Sequence, residues 1–166
     1  MYFKAPFGSR EQLITTLFIV MIFAAILLVG KSIPENQQIL AKVITVCFLI
    51  VIIFTWLSAT RGYELGLNEL IIKTIIFPKK INFSQIKNAE YRDDITSKDL
   101  HKIMGSDGAF GNWGSYRCDK VAGKISMHSN RLSHLVFIYT DEKIFVVSPD
   151  DCLAFVEELK GRISQS

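Results

Sequence analysis

Two apolar runs, residues 13–30 and 39–60, stand at the front of this 166-residue chain and restrict what it can become. Each approaches the roughly 20 apolar residues needed to cross a hydrocarbon layer about 30 Å thick, and a buried helix in a soluble domain seldom runs so long without a charge. The first run has only Thr15 and Thr16 as polar members, and a threonine hydroxyl can bond the backbone of its own helix within lipid. The second carries Lys42 one turn in, where a lysine snorkels to the interface, and Trp56 near its end, where an indole suits the headgroup level. Two membrane-spanning helices are therefore predicted. A cleavable signal peptide competes for the first run, given Lys4 and Arg10 ahead of it and Ala24 and Ala25 within it. The run exceeds the usual apolar stretch of about 7–15 residues, and no small-residue cleavage site precedes the second run, so an uncleaved helix is expected.

Between the runs, residues 31–38 supply Pro34 and polar side chains, enough for a tight turn that returns the chain to its starting side. Orientation then follows from basic residues at the ends. Lys4 and Arg10 flank the first run and Arg61 and Lys73 follow the second, against Lys31 and Lys42 at the turn. The positive-inside rule leaves both termini in the cytoplasm.

The rest of the chain has another texture. Residues 61–166 hold 15 of the 19 basic and 14 of the 16 acidic residues, so this part is almost neutral. Nucleic-acid binding, which depends on clustered Lys and Arg, is not expected. The three cysteines, Cys47, Cys118 and Cys152, are widely spaced and form neither a disulfide framework nor a metal signature. They read as small buried hydrophobes.

From Tyr63 the hydrophobic period shortens. Segments 63–66, 70–77, 80–83 and 87–91 are rich in β-branched and aromatic residues and are separated by Gly, Asn, Pro78 and Ser84, which predicts consecutive strands. After a stretch read as irregular, 115–119, 123–129, 135–140 and 143–148 give further strands, the last two forming a hairpin about Asp141 and Glu142. Residues 149–160 then read as an amphipathic helix that sets Leu153, Phe155, Val156 and Leu159 near one face ahead of Gly161. The fold class is thus α+β, with a two-helix transmembrane hairpin over residues 1–60. An antiparallel β-barrel or sandwich of about seven strands with a C-terminal helix follows over 61–166.

This order resembles a pleckstrin-homology (PH) domain, and the whole layout resembles the bacterial PH-like membrane proteins, in which a two-helix anchor precedes such a barrel. The likeness rests on Tyr-Glu-Leu at 63–65, residues 81–86, the Gly-Ala-Phe-Gly-Asn-Trp-Gly stretch at 108–114, and residues 147–155 at the helix start. The resemblance implies a multi-pass protein of the bacterial inner membrane whose barrels associate with one another. It offers no catalytic residues and no cofactor to carry over.

Among candidate sites, the glycine-rich segment 104–114 carries Phe110 and Trp113 on what should be a loop, either as contact residues for a partner or folded back over the barrel. Its Gly108-x-x-Gly111 lacks the strand-to-helix setting of a phosphate loop. Arg61, Lys73, Lys79 and Lys80 are candidate membrane-facing basic residues. Specific phosphoinositide recognition is not expected, because Glu64 and Glu69 flank the first hairpin turn where a dense basic cluster would be needed. Asp93, Asp94, Asp99, His101, His128 and His134 show no metal-binding spacing, and Ser129 and Ser133 lack the setting of a nucleophile. The expected function is a non-catalytic scaffold, interaction or oligomerisation module at the cytoplasmic membrane surface, without cofactor or metal. Its partners would be the bilayer and a second copy or another protein. The alternatives are a lipid-headgroup-binding module and a membrane-bound enzyme or transporter component.

Overall fold

The computed structural model describes residues 1–32 and 38–165. Helix α1 spans Ser9–Ser32 and α2 spans Gln38–Leu57. Both are long and apolar enough to cross a membrane, and no residue of α2 is buried within the protein. Pro34 and the turn around it fall at 33–37, outside the described residues. The second apolar run was expected to stay helical to Thr60, but α2 stops at Leu57 and Thr60 is 2% exposed inside the domain.

Among the described residues ten strands follow the order β1 (Tyr2–Lys4), β2 (Gly62–Leu65), β3 (Glu69–Lys73), β4 (Lys79–Asn82), β5 (Ile86–Arg92), β6 (Leu100–Ser106), β7 (Asn112–Cys118), β8 (Val121–Ser129), β9 (Leu135–Thr140) and β10 (Ile144–Val147), and helix α3 (Cys152–Ile163) comes last. They form one sheet in the order β1-β2-β3-β4 and another in the order β5-β9-β10-β8-β7-β6. The architecture is a two-sheet sandwich with a C-terminal helix and not a closed barrel. One pairing departs from the antiparallel expectation: β10 inserts between β9 and β8 and runs parallel to β8.

The central strands explain the core. All four residues of β10 are buried, as are the first four of β9. Val136, Ile138, Phe145 and Val147 face a cluster built from Phe3, Tyr63, Ile72, Ile81, Phe83 and the α3 residues Phe155 and Leu159. Leu135, Phe137, Ile144 and Val146 face a second cluster with Ile95, Leu100, Tyr116, Ile125 and Met127. Strands buried on both faces read as continuous apolar runs, and each fully buried side chain of this size contributes about 1.5–3 kcal/mol.

Several boundaries differ from expectation for local reasons. Strand β3 ends at Lys73 rather than Phe77, because the following segment is held by α2. The Ile75 N–H donates to Leu57 O at 3.2 Å, and the Phe77 N–H donates to Thr74 Oγ1 at 3.0 Å. Pro78 has no N–H to offer a ladder, so β4 begins after it. Strand β6 lies in the stretch read as irregular. Only Leu100 of its seven residues is buried, so this edge strand carries no alternating pattern. Strand β1 is three residues long and reads as nothing on its own, yet Phe3 is buried and packs edge-on against Phe155 at 5.1 Å.

Helix α3 begins later than expected, at Cys152, where the Asp151 carboxylate accepts the Ala154 N–H at 3.0 Å. Its buried face is Cys152, Phe155 and Leu159, while Leu153 is 68% exposed. The helix runs through Gly161 to Ile163, and a methyl group at Gly161 would meet nothing within 4 Å. Gly161→Ala should therefore raise stability by about 0.5–1 kcal/mol, read as a higher thermal midpoint of the detergent-solubilised chain.

Candidate functional site

The chain enters and leaves the two helices at one end of the sandwich, and a buried polar cluster joins the two segments there. Asn130, in the connection after β8, is 1% exposed. Its Nδ2 donates to Ala5 O at 2.8 Å and to Thr60 O at 2.7 Å, the segments just before α1 and just after α2. Its backbone O accepts the Gly8 N–H at 2.9 Å, and its own N–H donates to Ser148 Oγ at 3.3 Å. The Tyr63 hydroxyl donates to His128 O at 2.8 Å and accepts the Ser148 N–H at 3.0 Å, and burial pushes its pKa upward. Carbonyls out of water need such donors, and each one lost costs about 1–3 kcal/mol.

The glycine-rich segment forms the tip of the β6–β7 hairpin and docks on the first turns of α1. Thr15 Oγ1 donates to Gly108 O at 3.3 Å and accepts the Phe110 N–H at 2.9 Å. Ile14 lies so close over Gly108 that an added Cβ would come 2.6 Å from its Cδ1. Glu11, 2% exposed, accepts from Asn112 Nδ2 at 3.2 Å, and Arg10 reaches Asp107 at 3.3 Å. Phe110 is 7% exposed with φ 57°, and its N–H is taken up by Thr15. Trp113 is half-buried on β7, and its indole Nε1 is buried without an acceptor among the described residues.

Trp113 lines a cavity of about 330 Å³ between the last turns of α2 and the β3–β4 connection. Phe54, Phe77 and Pro78 form its apolar wall, and Ser58, Thr74, Lys79 and His128 its polar one. The four basic candidates sort differently. Lys73 pairs with Glu64 across β2–β3, and Lys80 with Glu69 at 2.8 Å across β3–β4. Arg61 instead covers the Trp56 ring at 5.1 Å, and Lys79 sits 5.7 Å from the Phe145 ring that Lys143 also flanks at 5.1 Å. No carboxylate pairs with Arg61 or Lys79 among the described residues. Burial, then the Lys143 ammonium, lowers the pKa of Lys79.

A family model of the bacterial PH domain matches residues 61–163. The chain belongs to the bacterial PH domain family. No curated protein and no solved structure matches it. The matched PH domain begins at Arg61, so β1, which completes its first sheet, comes from outside the matched residues.

Elsewhere on the PH domain the titratable candidates are dispersed. Asp94 chelates Arg92 at 2.7 and 2.8 Å, and His101 bonds Asp119 at 2.9 Å. His134 meets the Tyr91 hydroxyl at 2.9 Å. Asp99 caps a short turn, where the Thr96 N–H and hydroxyl hold its carboxyl down at about 2. Ser129 Oγ bonds Ser148 at 2.9 Å and the Arg131 backbone. Among the described residues no three His, Cys, Asp or Glu side chains group as a metal set.

His128 is the exception in environment. Burial, reinforced by Lys79 and Lys143, lowers its pKa to about 3, so the native ring stays neutral. Between pH 6.5 and about 3 the unfolded chain binds a proton that the native state refuses. Stability should therefore fall as pH drops below 6.5, with a slope approaching about 1.4 kcal/mol per unit from this residue. Unfolding of the wild type and His128→Gln at pH 7 and pH 5 checks this: the drop should shrink in the variant.

Asn130, Glu11 and Asn112 are the residues that sequence reasoning missed. Asn130 sits in Ser-Asn-Arg between two strands and reads locally as a turn former. No local signal says that it reaches segments 125 and 70 residues away.

Proposed function

We propose that this protein is a non-catalytic, membrane-anchored PH module that holds its sandwich in one orientation against the cytoplasmic leaflet and offers its far end to a protein partner or a second copy. The carrying observation is the Asn130 amide bonded to both Ala5 O and Thr60 O, which ties the two feet of the helical pair to the same point of the domain. The pairing of β1 with β2 supports a double crossing, because the segments before α1 and after α2 lie in one sheet and so share a side. The basic flanks favour the cytoplasm as that side.

The far end carries features suited to contact. The β2–β3 turn raises Leu67, 92% exposed, beside a groove of about 850 Å³ that runs along α3 from Ala154 to Arg162. Exposed apolar side chains beside a groove, on a domain that cannot tumble freely, favour a docking role. A photo-crosslinker at Leu67 in the native membrane should give a discrete adduct, identifiable by mass spectrometry as a second copy or one partner. No adduct, together with only monomer in detergent, would remove the scaffold reading.

A further inference from the structure

The cavity at the α2 end of the PH domain has a chemistry that its surroundings do not use. One wall is apolar and continuous with the exposed flank of α2, the Phe54 and Phe77 rings lying 6.3 Å apart. The β3–β4 connection extends that flank with Ile75 at 50% and Phe77 at 63% exposed, and the Ile75 N–H on Leu57 O pins it to the helix end. The other wall offers donors. Among the described residues Lys79 has no carboxylate partner, the buried Trp113 indole N–H has no acceptor, and no Asp or Glu lines the space. Lys143, sharing the Phe145 ring with Lys79, adds a second positive charge nearby.

Depth selects the ligand. A 20-residue helix is about 30 Å long, so if α2 spans the bilayer its last turn ends at the headgroups. Trp56 under Arg61 marks the same level, where indoles and basic side chains collect. An anion with an attached apolar tail, arriving from the bilayer side, matches both walls at once.

We propose that this cavity is a phospholipid site, in which the phosphate of an anionic bilayer lipid lies against Lys79 and the Trp113 indole N–H and an acyl chain runs along Phe54 and Phe77. The site rests on the membrane-anchored reading. It is separate from the β2–β3 turn, which lies at the opposite end of the first sheet beside Arg162. It uses Lys79 and not Lys73 or Lys80, whose charges Glu64 and Glu69 already satisfy.

Flotation of the full chain with phosphatidylglycerol liposomes tests the anchor first, since a chain that does not float overturns the anchored reading on which the site depends. Native mass spectrometry of the delipidated full chain in detergent then tests the site, with phosphatidylglycerol, diacylglycerol and inorganic phosphate as separate probes. Phosphatidylglycerol should be retained at one per chain, and Lys79→Gln and Trp113→Phe should each weaken retention about tenfold. Lys73→Gln should leave it unchanged. Diacylglycerol held as tightly would show that the phosphate is not read, and inorganic phosphate held as tightly would assign the cavity to a free anion. Either result overturns the lipid site, as does unchanged retention in Lys79→Gln when the chain still floats.

Discussion

Asn130→Ala should lower stability by about 2–5 kcal/mol and loosen the domain from its helices. The amide is 1% exposed, and its removal strands Ala5 O and Thr60 O together in a space sealed from water. A buried carbonyl without a donor costs about 1–3 kcal/mol, and an alanine methyl offers neither carbonyl one. Thermal unfolding in detergent should show a midpoint lower by several degrees. A second readout separates loosening from general instability. Arg61 follows Thr60 directly and offers trypsin a site at the foot of α2. Well below the unfolding midpoint, cleavage after Arg61 should speed up in the variant while sites on β5 and α3 keep their wild-type rate.

An effect of similar size is expected where β6 and β7 cross at two glycines. Gly105 and Gly114 are cross-strand partners with φ of 126° and 120°, a region that L side chains rarely adopt. A Cβ on Gly105 would fall on the Trp113 carbonyl and 2.8 Å from Gly114 Cα, and one on Gly114 would meet the Met104 carbonyl and Gly105 Cα in the same way. These obstacles are backbone, so no rotamer change relieves them. Gly105→Ala and Gly114→Ala should each cost at least about 2–3 kcal/mol. Because this hairpin carries Gly108 and Phe110 onto Thr15, both variants should also expose the α1 contact. Faster amide exchange at Phe110, compared with the α3 core, would report it. Gly123→Ala, whose Cβ would meet only a side-chain methyl at 3.4 Å, isolates the backbone strain because Gly123 shares the positive φ without the collision.

The contrast between β10 and β6 shows which parts of the fold a sequence exposes. Strand β10 is buried throughout and announces itself as an apolar run, and α3 announces itself by Asp151 and the spacing of Phe155 and Leu159. Strand β6 buries only Leu100 and is held by its ladder to β7, so its backbone pairing has no counterpart in residue type. The site divides the same way. Lys79 and Trp113 are legible as chemistry-bearing residues, since charge and aromaticity belong to the side chain alone. Which lysine stays free depends on Glu64 and Glu69 facing Lys73 and Lys80 across strands, a matter of register. Phe110 was a candidate contact residue because glycines surround it, and the same glycines let the hairpin tip close onto α1. Asn130 was invisible because its partners come from three distant segments.

Hydrogen bonds from Asn130 and Thr15 fix the PH domain to its helices rather than leaving it tethered by them. Cys47 is exposed on α2 while Cys118 and Cys152 are buried, so a spin label attaches selectively at Cys47 and at an added Leu67→Cys on the far turn. The distance between the two labels in proteoliposomes, measured by pulsed electron resonance, tests the fixed geometry most directly. A single narrow distribution that broadens in Asn130→Ala is the predicted result. A distribution already broad in the wild-type background would contradict it and leave the domain a freely swinging appendage of its anchor.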